Sequence, residues 1–104
     1  DPWLADVRHR LQSCPGPTRL SDLAHRAGRH RVHLGRAFLA AYGETPSAFR
    51  RRAMLDRALG LMASGDTLAA AAVDAGFSDQ SHFSRACRDH YGLAPGRLAA
   101  RLRA

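Results

Sequence analysis

The stretch Ala75–Arg88, AGFSDQSHFSRACR, decides how this chain is read. Gly76 marks the end of one helix, because glycine enters the left-handed region without steric cost. Ser78 is the expected cap of the next, over Asp79–Tyr91. That helix has two faces. Phe83, Ala86 and Cys87 form an apolar stripe at helical spacing. Gln80, Ser84 and Arg88 form a row at four-residue spacing on the opposite side, with Ser81 and Arg85 in the next row.

An earlier part of the chain repeats this pattern. Leu20, Ala24, Ala27 and Gly28 match Leu68, Ala72, Ala75 and Gly76, 48 positions later. Beyond the glycine the offset is 49: Leu34, Arg36, Ala37, Phe38, Tyr42, Gly43, Pro46 and Phe49 match Phe83, Arg85, Ala86, Cys87, Tyr91, Gly92, Pro95 and Leu98, and His33 matches His82. The extra residue falls in the turn, where length changes are tolerated. Each unit is a helix, a short glycine turn and a second helix, the helix-turn-helix layout. A solenoid of helical hairpins would need a shorter period and at least three copies.

Around these units the remaining helices follow from their punctuation. Asp1-Pro2 starts a first helix bearing Trp3, Leu4, Val7 and Leu11, and Cys14-Pro15-Gly16-Pro17 ends it. Helices are expected at about Leu20–Ala27 and Arg31–Tyr42, the latter with Leu34, Ala37, Phe38 and Ala41 inward. Thr45 caps, and Pro46 opens, a long helix to about Ala63 that presents Phe49, Ala53, Leu55, Leu59 and Met62. An alanine-rich helix follows at Leu68–Ala75, and Pro95 opens a last one bearing Leu98 and Leu102. No stretch reads as a strand. The expected fold is all-α: seven helices, in two homeodomain-like helix-turn-helix subdomains (residues 1–45 and 65–104) joined by a linker helix (46–64).

The chain has 104 residues and a formal net charge of +7, with a pI near 11.2. Every one of its 16 basic residues is arginine, so each cation offers a planar fork suited to phosphate or a guanine edge. Such a balance points to a polyanion, nucleic acid first, or to a solvated arginine-rich surface. No apolar run spans a membrane, and the start lacks a signal-peptide pattern. Two cysteines, Cys14 and Cys87, make no disulfide framework, which suits a reducing, cytoplasmic setting. The six histidines lack the companions of a metal site, neither cysteine has a placed base, and no phosphate-binding glycine loop is present. No metal, cofactor or enzymatic activity is expected. The chain starts at Asp1 without Met, as a fragment of a longer protein would.

The run Ala75-Gly76-Phe77-Ser78-Asp79-Gln80-Ser81-His82-Phe83-Ser84-Arg85, continuing to Tyr91-Gly92-Leu93-Ala94-Pro95, resembles the signature of the AraC/XylS family of bacterial transcription regulators, and the resemblance covers Trp3 to Arg97. It implies a C-terminal DNA-binding domain with seven helices, double-stranded DNA as partner, RNA polymerase as a second candidate partner with the choice between activator and repressor left open, and effector and dimerisation functions usually carried by a domain outside this chain. The sequence departs from the family pattern at Cys87, usually Phe; at His30, usually a serine cap; at Ala94, usually Ser; and at Val32 and Gly35, which often carry polar or bulky readers.

In a helix-turn-helix the second helix enters the major groove, its N-terminal part nearest the bases. Gln80, Ser81, Ser84 and Arg85 are therefore candidate base contacts, since Gln pairs with adenine, Arg with guanine and Ser with either. The matching row is Arg31, Val32, Gly35 and Arg36, with Arg36 the best reader, Val32 suited to a thymine methyl and Arg31 open between base and phosphate. Helix starts and flanks hold phosphates; the candidates are Ser78, His82, Arg88, His33, Thr45, Ser47, Arg50 and Arg97. The expected function is sequence-specific binding, with Asp79–Tyr91 better equipped than Arg31–Tyr42. The alternative is an arginine-rich helical module that binds protein, or polyanions without sequence preference.

Overall fold

The computed structural model describes residues 2–13 and 19–103. Asp1, read as a helix cap, and Cys14–Pro17, read as a helix stop, lie outside the described residues. The helices are α1 Pro2–Ser13, α2 Leu20–Ala27, α3 Arg31–Tyr42, α4 Pro46–Ala63, α5 Leu68–Ala75, α6 Gln80–Tyr91 and α7 Pro95–Arg103. No strand occurs among the described residues. The chain forms two compact units, residues 1–50 and 51–104. The division falls inside α4, whose first turn serves one core and whose remainder serves the other.

In the first unit, Leu4, Val7 and Leu11 of α1 pack with Leu23 and Ala24 of α2, Leu34 and Phe38 of α3, and Phe49 of α4. Phe38 meets Phe49 edge-on at 5.5 Å and Tyr42 at 4.7 Å. The inward row of α3 thus runs Leu34 and Phe38, with Tyr42 against Phe38 but 36% exposed. Ala41, expected inward, lies off that row and is exposed. Thr45 caps α4 as expected, its Oγ1 accepting from the Ala48 amide at 3.1 Å.

In the second unit, Leu55, Ala58, Leu59 and Met62 of α4 pack with Ala71, Ala72 and Ala75 of α5, with Phe77, with Phe83, Ala86 and Cys87 of α6, and with Ala99 of α7. The three α5 alanines are wholly buried; with only a methyl group each, they let neighbouring side chains lie close to the helix backbone. Ala58 was not foreseen in this core, and Ala53 is only half-buried. Leu102 stays 60% exposed, at a surface groove that it lines with Leu98 and with Leu59 of α4. Thr67 caps α5 through Oγ1 to the Ala70 amide at 3.1 Å. One expected cap is corrected. Asp79, not Ser78, caps α6, and its Oδ1 accepts from the His82 amide at 2.8 Å. A carboxylate at a helix N-terminus also meets the favourable end of the helix dipole.

Candidate nucleic-acid interface

The turn of each unit places its second helix. Gly28 (φ 67°) and Gly76 (φ 107°) both take the left-handed conformation. The amides that follow then reach back identically, Arg29 N to Ala24 O and Phe77 N to Ala72 O, each at 2.9 Å. The two turns part company at the next step. In the first unit His30 is already the cap of α3, its Nδ1 accepting from the Val32 amide at 3.2 Å. Histidine, standing where the family pattern has a serine cap, does cap the helix. In the second unit Ser78 intervenes before the cap Asp79, so Ser78 is the inserted residue behind the change of offset from 48 to 49.

The insertion brings an extra amide, and His82 receives it. His82 Nδ1 accepts from the Ser78 amide at 3.4 Å and lies 3.2 Å from the Ser78 hydroxyl, with its ring edge-on to Phe77 at 5.1 Å. An acceptor Nδ1 leaves the proton on Nε2, a donor. The matching His33 instead stacks on Trp3 of α1, centroids 6.0 Å apart. Arg29 lies over the same Trp3 ring, 4.9 Å from its centroid.

On α6, Gln80, Ser81, Arg85 and Arg88 are exposed and Ser84 is half-buried, on the side away from the fully buried Phe83 and Cys87. The five residues read from spacing therefore share one accessible face. On α3, Arg31 and Arg36 are exposed, Val32 is 48% exposed, and Gly35 is half-buried. A Cβ built on Gly35 would meet nothing within 4 Å, so this face has a gap where α6 has Ser84. The phosphate candidates are more scattered. Ser78 and His82 are joined in the second turn, whereas Thr45 and Ser47 sit exposed at the start of α4, with the Thr45 hydroxyl oxygen engaged as the cap. Arg50 is half-buried and has a partner within the protein. Arg97 is exposed in the first turn of α7.

Two ionisable groups, Cys87 and Tyr91, are shifted by their surroundings. Burial pushes the Cys87 thiol above its ordinary value, against the pull of neighbouring Arg88. Tyr91 donates its hydroxyl to the Asp56 carboxylate of α4, and burial and that bond push Tyr91 up to about 12. The pairing of Tyr91 with Asp56, 35 positions apart, was not foreseen. No cluster of three metal-ligating side chains occurs among the described residues, and no helix among them is long and apolar enough to cross a membrane.

Known proteins share this fold. A family model described as a helix-turn-helix domain matches residues 23–101. No curated protein matches the sequence. Among solved structures, an AraC-type transcriptional regulator from Chromobacterium violaceum is 26% identical with a TM-score of 0.85, covering 96% of this chain and 91% of that one. A probable AraC family transcriptional regulator from Rhodopseudomonas palustris is 28% identical with a TM-score of 0.81, each chain covered completely. The DNA-binding domain of the global transcriptional factor AdpA, solved with a target DNA, shares the fold at 24% identity and a TM-score of 0.85, over 96% of this chain and 92% of that one. With two matched turns, two capped second helices and a family model that spans both units, the chain belongs to the helix-turn-helix family of AraC type.

Proposed function

We propose that this chain binds double-stranded DNA sequence-specifically, as the DNA-binding domain of a cytoplasmic transcription regulator, with α3 and α6 entering successive major grooves. The observation that carries the proposal is the accessible face of α6. Gln80, Ser81, Ser84 and Arg85 stand on a helix whose other side is locked into a core by Phe83 and Cys87. Rigid backing of this kind lets short polar side chains select base edges. The solved relatives whose descriptions name DNA-binding domains support the reading.

The two helices are unequal readers in this proposal. Arg36 and Val32 contact bases, but Gly35 contributes no side chain, so α6 carries most of the discrimination. Two helices in successive grooves imply sites one helical turn apart, about 10 bp or 34 Å. Selection from random duplexes should return an asymmetric motif, sharper in one half, and footprinting should show protection over about two turns. A selection that enriches nothing sinks the proposal. Enrichment of a motif equally sharp in both halves sinks the inequality alone.

A further inference from the structure

The two turns share a backbone path and carry opposite chemistry. Residues 19–36 hold five arginines, three histidines and one aspartate, whereas the matching residues 67–85 hold one arginine, one histidine and two aspartates. In the first unit the cations converge. Ser21, His25, Arg29, His30 and Arg31, with the buried Ala24 between them, line a surface depression of about 250 Å³. No carboxylate is among its lining residues. The matched glycines, return bonds and caps fix the correspondence with the second unit. There, Ala69, Val73, Phe77, Asp79 and Gln80 occupy the same places, with Val73 59% exposed and Phe77 buried.

Two of the lining groups are held ready for an anion. Trp3 lies under the Arg29 guanidinium, and stacking restrains the plane while leaving its edge N–H groups free to donate. The Val32 amide occupies His30 Nδ1, which leaves Nε2–H as the outward donor. Fork-shaped and single donors around one concavity suit the two non-bridging oxygens of a phosphate diester better than the flat edge of a base. We infer that this depression clamps one backbone phosphate of DNA, with Arg29 the principal ligand and His25, His30, Arg31 and Ser21 completing the cradle. The inference rests on the DNA-binding reading and deepens it: the first unit, the weaker reader of the two, also anchors the duplex. It also assigns Arg31 to a phosphate rather than a base.

The test is the salt dependence of binding to two duplexes, the selected motif and a permuted sequence of the same composition, between about 50 and 200 mM salt. Arg29→Gln should weaken both duplexes by the same factor, roughly three- to tenfold, and lower the slope of log affinity on log salt by about 0.9. Arg29→Lys, which keeps the charge, should restore the slope. A melting curve confirms that each variant is folded. Equal affinity and slope for wild type and Arg29→Gln would overturn the clamp, as would a loss confined to the selected duplex, which would make Arg29 a base reader. Because the slope is also read on the permuted duplex, the clamp stands or falls even if the wild-type chain prefers neither sequence. That last outcome overturns the sequence-specific reading alone.

Discussion

Phe77 and Arg29 occupy the same step of the same turn. Both amides close the same return bond at 2.9 Å, yet Phe77 is buried, stacked on Phe83 at 5.2 Å, while Arg29 is exposed over Trp3. The backbone requires only the left-handed glycine before this residue. What the side chain does depends on who covers it. In the second unit the ring of Phe77 itself joins the core beneath α6. In the first unit Trp3 of α1 supplies the apolar surface, which frees the matching position for a cation. A duplicated fold thus specialises its copies: one turn spends this residue on its core, the other on a partner.

This contrast breaks most visibly by truncation. Phe77→Ala removes a buried ring and should cost the second unit about 3–5 kcal/mol. Arg29→Ala removes only an exposed stack, worth about 0.5–1 kcal/mol. Denaturant unfolding, with amide exchange to localise the loss, separates them. Equal costs would mean that Arg29 is as structural as Phe77, and the division between core and partner would be lost.

The next effect concerns the readers. Arg85→Ala should cost about 1–3 kcal/mol on the selected duplex and relax the preference at one base position. Arg36→Ala, its counterpart on α3, should cost less discrimination. Competition binding with single-base variants of the motif measures both. If Arg36→Ala relaxes its position as fully as Arg85→Ala does, the two helices read equally and the anchoring role of the first unit is not distinctive.

The caps give a smaller contrast. Asp79→Ala removes a charged acceptor from the His82 amide at 2.8 Å and should cost about 1 kcal/mol. His30→Ala removes an uncharged acceptor at 3.2 Å and should cost about half as much, roughly 0.5 kcal/mol. Melting of the two variants at neutral pH ranks them, and a costlier loss at His30 would reverse the ordering of the two turns.

Much of this molecule was legible in its sequence, for a local reason. Gly28, Gly43, Gly76 and Gly92 each stop a helix, and Pro46 and Pro95 each open one, so the bounds of five helices, Leu20–Ala27 to Leu68–Ala75 and Pro95 onward, follow from punctuation. The face of α6 follows from spacing. The errors arise where two residues suit one job or where the partner is distant. Ser78 and Asp79 are both good caps, and only the geometry of His82 decides between them. Ala41 sits at the right distance from Phe38, but Tyr42 takes the place against that ring. The clamp is not legible in the sequence because Ser21, His25 and Arg29 lie on α2 and its turn, and only the fold gathers them beside His30 and Arg31. The roles of individual groove residues go beyond what spacing can decide, since an arginine at one helical position serves a base or a phosphate equally well.

The finest test compares Tyr42 with Tyr91, which match in the repeat. Tyr42 lies under the Arg8 guanidinium, 5.1 Å from its ring centroid. Tyr91 instead donates to Asp56, and it is held up to about 12 against an ordinary 10.0. A tyrosine whose proton is held more tightly in the folded state stabilises that state while it is protonated. The contribution is therefore complete below pH 10 and is lost as pH rises from about 10 to about 12. Tyr91 is 38% exposed, so solvent screening keeps the effect well below what the shift alone suggests. Tyr91→Phe should cost about 0.5 kcal/mol at neutral pH and flatten this alkaline decline. The informative measurement is the unfolding free energy of the second unit at several pH values between 9 and 12. A decline that persists in Tyr91→Phe would place the alkaline-sensitive group elsewhere, and the two tyrosines would then differ in packing but not in proton linkage.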